Sequence, residues 1–389
     1  MFAGFPVIMV ACGWSHTIVA TSDGGVFSWG YNHHGQLGHG DQADRLSPAR
    51  VGAERFEGHA MCFVAAGARH SMAVSTGGDA WTWGNGQHGC LGHDDEEGRL
   101  APTVLQRETL GMDGVVMAAA GSAHSVCVTG DGVLWVWGCG EDGQLGLGGN
   151  ANVLTPTRCV GPDAPFFGSR VLLAVCGSVH TLAVADNGSL WSWGLGRDGR
   201  LGHGDIRDRN VPTLVSAPGI RNVTFVSAAA GYAHSAGVSD EGVLHTWGKG
   251  EAYPGSHVPA GLGHADGQDK LVPTPVHMAN GARTGRCRRL HPQLALAFAM
   301  GTHPRLGAGR PRCLPGVAGA AGAAGAAGAV CAHSHDRDNE EQDKGCAFAA
   351  VPSELVKKLV EASAAWPQGE GGKHPGVARL LGGGGIAGP

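Results

Sequence analysis

Residues 121–146 read GSAHSVCVTGDGVLWVWGCGEDGQLG, and the same pattern returns five times along the chain. Its histidine recurs as His16, His70, His124, His180 and His234, and its tryptophan as Trp29, Trp83, Trp137, Trp193 and Trp247. Both series advance by 54, 54, 56 and 54 residues. A Leu-Gly pair follows each tryptophan, at Leu37, Leu91, Leu145, Leu201 and Leu262, and a proline follows each pair. Agreement of period, order and residue type identifies a repeat protein.

Each copy carries four short β signals. In the third copy they fall at 115–120, 124–129, 133–137 and, after Pro156, near 157–160. Asp131-Gly132 has the chemistry of a hairpin turn between the second and third. Four short antiparallel strands repeated radially make the blade of a β-propeller, so the fold class is all-β. The units run near 1–64, 65–118, 119–173, 174–226 and 227–284. The first strand is small and apolar, as at Ala65-Ala66-Gly67 and Ala119-Ala120-Gly121, which suits the crowded position nearest a propeller axis. The recurring tryptophan should pack between blades. Burying it is worth on the order of 4–6 kcal/mol gross, as an upper estimate.

Composition narrows the remaining choices. Sixty-eight glycines among 389 residues, without a Gly-X-Y period, mean many tight turns and not collagen. A net charge of -5 gives no basic signature for general nucleic-acid binding. Eleven cysteines with no CxxC pair fit a reducing cytoplasmic or nuclear setting better than a secreted one. The apolar stretch 2–12 aligns with the first strand of the third copy, so it reads as a strand and not as a signal peptide. No transmembrane span is read.

Two motifs invite a chemical reading and are better explained structurally. The five histidines, each followed by Ser or Thr, could be catalytic or metal sites. Equivalent positions in different blades cannot converge on one ion, so a structural role bonding to backbone is expected. GxGxxG occurs at 84–89, 138–143 and 194–199 after a strand, but a Leu-Gly turn follows where a cofactor helix should open. The first copy has Asn32 for the second glycine, which suggests a left-handed turn at that position. No metal or cofactor is assigned.

The combination C/A-G-x-x-H-S/T, G-x-x-x-x-W-G, G-x-L-G and Pro resembles the repeat of the regulator of chromosome condensation family. It covers about residues 5–284. The resemblance implies a seven-bladed propeller without catalytic chemistry that binds protein partners. The founding type is a guanine-nucleotide exchange factor for a small GTPase of the Ran type and is bound to chromatin, a partner that the net charge here does not favour. Other members are ubiquitin ligases carrying the propeller as a module and a plant UV-B photoreceptor. The photoreceptor's sensing tryptophans match Gly13-Trp14-Ser15-His16-Thr17 once. The later equivalents are Ala68, Ser122, Ser178 and Tyr232, which leaves one tryptophan where a cluster is needed.

Within this framework three loops are candidate partner contacts. The fifth copy is seven residues longer after Trp247, and Glu251, Tyr253 and His257 lie in that insertion. His39-Gly40-Asp41 and His203-Gly204-Asp205 are the other two, with turn chemistry as the competing reading. Beyond 284 the pattern stops. Residues 285–389 contain a Gly/Ala tract, a charged run and one short amphipathic segment at 355–365, and read as an irregular tail. That length would also hold about two more repeats. Leu290-His291-Pro292-Gln293, written CTG CAC CCA CAG, gives Cys-Thr-His-Ser in the next frame, so a shifted reading frame is the alternative.

Overall fold

The computed structural model describes residues 5–106, 110, 113–159, 169–250 and 261–276. The candidate contacts Glu251, Tyr253 and His257, and residues 285–389 with the tail expected there, lie outside these residues.

Short apolar segments, the first three of each copy joined by tight turns and the fourth by a longer loop, each pair with their sequence neighbour. Five four-stranded antiparallel sheets result, each with its strands in chain order. In the first, β1 (Val7–Cys12), β2 (His16–Thr21), β3 (Val26–Gly30) and β4 (Arg45–Arg50) form blade 1. Blades 2 to 5 occupy 61–104, 115–158, 171–214 and 225–275. The repeat and the blade differ in phase by a few residues, so a unit boundary at 64/65 falls inside the strand Met61–Ala66.

First strands lie innermost, each against the first and second strands of the preceding blade. Ala65, Ala118, Ala119 and Ala228 are there almost fully buried, because only small side chains fit where blades converge. Between sheets sit the large side chains, with Trp83, Trp137, Trp193 and Trp247 at 0% exposure.

The outer strand departs from expectation. In blade 3 it spans Val153–Arg158, so Pro156 lies within it instead of preceding it. An outer strand has a free edge, and a proline there forfeits no ladder hydrogen bond. The pairing with Leu134–Gly138 is broken by an irregularity between Val136 and Gly138.

Outer strands also cover their neighbours. Leu100, Leu154 and Leu271 lie against Gly35, Gly89 and Gly199 of the preceding blade, glycines with φ of 73–77°. Their counterpart in blade 1, Leu46, is fully exposed, and Trp29 is only half-buried. Among the described residues blade 1 has no preceding blade to cover it.

Candidate interaction face and the junctions beneath it

A buried histidine needs a partner for its N–H, and the propeller supplies it from the next blade. His16 Nε2 lies 2.8 Å from Ser71 Oγ, His70 Nε2 3.0 Å from Ser125 Oγ, His124 Nε2 3.1 Å from Thr181 Oγ1 and His180 Nε2 2.9 Å from Ser235 Oγ. Each hydroxyl donates its own proton to a main-chain carbonyl, of Gln36, Cys90, Gln144 or Arg200. The hydroxyl oxygen must therefore accept from the imidazole, which places the histidine proton on Nε2. The same four carbonyls each accept a second bond, from the indole Nε1 of Trp83, Trp137, Trp193 or Trp247 at 2.9 Å. Histidine, hydroxyl, carbonyl and tryptophan thus form one lock per junction. The expected partner was backbone; the observed one is a side chain of the adjacent blade.

Burial fixes the charge state. Desolvation pushes His16 and His124 down to about 3 and His70 to about 4, aided at His16 and His124 by the neighbouring His70. His180 is also well below its ordinary value, through burial first and then the Arg200 charge. Nδ1 of His16, His70, His124 and His180 has no hydrogen-bond partner. It faces the glycine that opens each motif. A Cβ on Gly67 would lie 2.7 Å from His70 Nδ1.

The GxGxxG glycines divide into three physical roles. Gly84, Gly138 and Gly194 have φ of 101–107°, and Gly89, Gly143 and Gly199 have φ of 73–76°. The second glycine was expected in a left-handed turn, but Gly86 has φ -99° and Gly196 φ -89°. Space is the constraint there instead. The main chain at Glu97 and at Arg207 occupies the place a Cβ would take. Asn32 holds its own loop from inside, donating to the carbonyls of Asp41 and Ala43.

Above the locks, loops after the first and third strands share one face. A cleft of about 210 Å³ opens there, lined by Trp14, Arg69, Asn85, Gln87, His88 and Ser122 among others. The Arg69 guanidinium stands 5.8 Å from the centroid of the Trp14 ring, a cation–π arrangement. Tyr31, His33 and His34 adjoin this region, with the Tyr31 and His33 rings 4.4 Å apart. Sequence reasoning treated Trp14 alone and missed Arg69, which varies freely within the repeat and carries no motif signal.

His39-Gly40-Asp41 and His203-Gly204-Asp205 are built into their loops. Asp41 pairs with Arg45 at 2.9 Å and Asp205 with Arg209 at 2.9 Å, both four residues apart. His39 Nε2 lies 3.1 Å from Ser28 Oγ, and His203 Nε2 2.9 Å from Ser192 Oγ. The Arg45 hydrogen bond holds the Asp41 carboxyl far below the usual carboxylate range. Turn chemistry accounts for these residues.

One group of three metal-capable side chains is found among the described residues, His88, Cys139 and Glu141. No helix among them is long and apolar enough to cross a membrane.

Comparison with known proteins agrees with this architecture. The RCC1-like domain model matches residues 2–296. The ultraviolet-B receptor UVR8 of Arabidopsis thaliana is 37% identical over 268 residues, 69% of this chain and 57% of that protein. The human E3 ubiquitin-protein ligase HERC2 is 35% identical over 243 residues, 62% of this chain and 5% of that protein. Prp20p of Saccharomyces cerevisiae, whose crystal structure was described with its binding to Gsp1p and histones, superposes with a TM-score of 0.59 at 25% identity. That match covers 71% of this chain and 64% of Prp20p. The chain spans little more than half the length of UVR8 and a small part of HERC2. Motif, blade geometry and family model coincide over the same residues, and the chain belongs to the RCC1-like domain family.

Proposed function

We propose that this propeller works without catalysis, as a platform that regulates a small GTPase of the Ran type by promoting nucleotide exchange, in the cytoplasm or nucleus. The observation that carries the reading is the likeness to Prp20p, described with its binding to Gsp1p and histones. Exchange factors act by holding the nucleotide-free GTPase tightly, which asks for shape and surface contacts and not for an acid, base or nucleophile. In keeping with that, the recurring histidines serve as neutral locks between blades. The face carrying Trp14, Tyr31, His33 and Arg69 offers half-buried aromatic rings beside exposed His33 and Arg69, the kinds of side chain that anchor protein contacts. Chromatin is the less favoured partner, since the net charge of -5 gives no basic signature for its nucleic acid.

The test is nucleotide release from a panel of purified small GTPases, each mixed with the full chain. Accelerated release from one member, reduced by Arg69→Ala, is the expected result. No acceleration with any member would sink the exchange reading and leave a scaffold. The 35% identity to HERC2 favours that second reading, a module for ubiquitin-ligase, chromatin or cytoskeletal partners. A light-sensing role has the 37% identity to UVR8 in its favour. Against it, Trp14 has Ala68 and Ser122 at the equivalent places in the next two blades. Loss of a dimer under UV-B would restore it.

A further inference from the structure

The junction between blades 2 and 3 differs from the others in what it places together. At the junctions of blades 1 and 2 and of blades 4 and 5, the residue five after the tryptophan of one blade faces the residue two after the tryptophan of the next. His34 faces Asn85, with Nδ1 and Nδ2 3.3 Å apart. Asp198 faces Lys249, with 3.6 Å between Oδ1 and Nζ. In blades 2 and 3 that register opposes His88 to Cys139, and Glu141 follows two residues on. His88 Nδ1 lies 3.8 Å from Glu141 Oε1. The imidazole nitrogen, the thiol sulfur and a carboxylate oxygen all lie within 4.8 Å of one another.

We infer that His88, Cys139 and Glu141 form a site for one zinc-type divalent ion that ties blade 2 to blade 3. Zinc is held at about 2.0–2.3 Å by nitrogen, oxygen and sulfur, so tetrahedral ligand atoms stand about 3.3–3.8 Å apart. The His88–Glu141 separation of 3.8 Å is within about 0.5 Å of the nitrogen–oxygen spacing this requires. With all three ligand atoms within 4.8 Å of one another, closure onto an ion asks for shifts of about 1 Å, a scale that side-chain adjustment covers. The ligand set selects the metal. Thiolate with imidazole favours zinc or cobalt over calcium and magnesium, which prefer oxygen alone. Ion binding releases the Cys139 thiol proton to solvent.

Two features support a built site. Backbone geometry holds His88 in place, with φ 59° just before Gly89. The Asn152 amide lies 3.2 Å from His88 Nδ1 and anchors to Gly140 N through its Oδ1, so it orients the ring until an ion replaces its contact. Glu141 is exposed, so solvent can supply water as the fourth ligand.

Cobalt(II) gives a direct readout, because a thiolate–cobalt bond produces a near-ultraviolet charge-transfer band. The metal-free full-length protein, kept reduced, would be titrated with cobalt(II) and then with zinc. One equivalent should give the band, and zinc should bleach it. Cys139→Ser should abolish it, while Cys12→Ser, at an exposed cysteine on the first strand of blade 1, should leave it intact. His88→Asn keeps a residue that accepts positive φ and should weaken cobalt binding at least about tenfold. Circular dichroism of the metal-free variants reports whether they fold; should Cys139→Ser not fold, His88→Asn and Glu141→Gln carry the test. No saturable band in the wild-type protein overturns the site. So does a band that survives loss of Cys139, or of both His88 and Glu141.

Discussion

His70 Nε2 lies 3.0 Å from Ser125 Oγ, across the boundary between the second and third blades. The two residues are 55 apart in sequence, so their contact exists only when neighbouring blades dock. His70 is fully buried, and removing its ring leaves a cavity and an altered hydroxyl network. His70→Ala should cost about 2–4 kcal/mol. Ser125→Ala should cost about 1–3 kcal/mol by leaving the Nε2 proton unpaired. Urea unfolding midpoints measure both, and an unchanged midpoint for either would remove the lock from the account of stability.

The same histidines make stability depend on pH. In the unfolded chain each titrates near 6.5. In the folded chain His16 and His124 titrate at about 3 and His70 at about 4. Between those values and 6.5 the unfolded chain binds more protons, so stability rises with pH across this window. The contribution is complete above about pH 6.5 and is lost as pH falls toward the folded values, at about 1.4 kcal/mol per unit for each histidine well inside the window. Urea midpoints compared at neutral pH and near pH 5 should therefore differ sharply. Replacing the histidines one at a time should reduce the difference stepwise.

Gly67 is required for space and not for its backbone angle. An added Cβ would lie 2.5 Å from the Gly121 carbonyl oxygen as well as against the His70 ring. Gly67→Ala should destabilise by about 2 kcal/mol or more through overpacking. Gly149 has nothing within 4 Å of the same construction, and Gly149→Ala should be neutral or stabilise by about 0.4–1 kcal/mol. Equal melting temperatures for the two variants would contradict this.

Blade 3 offers a test of polar pairing. Elsewhere the residue before the landmark tryptophan is a hydroxyl that meets a histidine, as in Thr82 with His93 at 2.9 Å and Thr246 with His264 at 3.0 Å. Blade 3 carries Val136, buried in the apolar core, and Leu147, partly buried against it. Pair and pair are alternatives: a histidine alone would lack its hydroxyl partner, whereas a hydroxyl alone could still donate to the Leu145 carbonyl, as Thr82 does to that of Leu91. Val136→Thr and Leu147→His should each destabilise, and the double variant should recover about 1 kcal/mol relative to their sum. Strict additivity in a double-mutant cycle would show the two positions to be independent.

Much of the architecture was legible in the repeat. The 54-residue step, the hairpin at Asp131-Gly132 and the Leu-Gly turn define five blades before any coordinate is known. The histidine was legible as structural, but its partner was not. Ser125 follows the next histidine, His124, in sequence, and nothing local says that it serves His70 across the junction. The second glycine of the GxGxxG pattern was misread as a left-handed turn, because a sequence shows that small size is required and not why. At Gly86 the reason is the main chain at Glu97 arriving from the far end of the same loop.

What the sequence determined by itself was each blade, since pairing joins segments that are neighbours in sequence and tight turns fix the inner hairpins. What only the tertiary structure decided was how one blade engages the next. The Gln36 carbonyl accepts from both Ser71 and Trp83, and His88 is set against Cys139 and Glu141. These contacts depend on the distance and rotation between sheets. Packing of buried side chains sets that geometry, and it is written at no single position of the repeat.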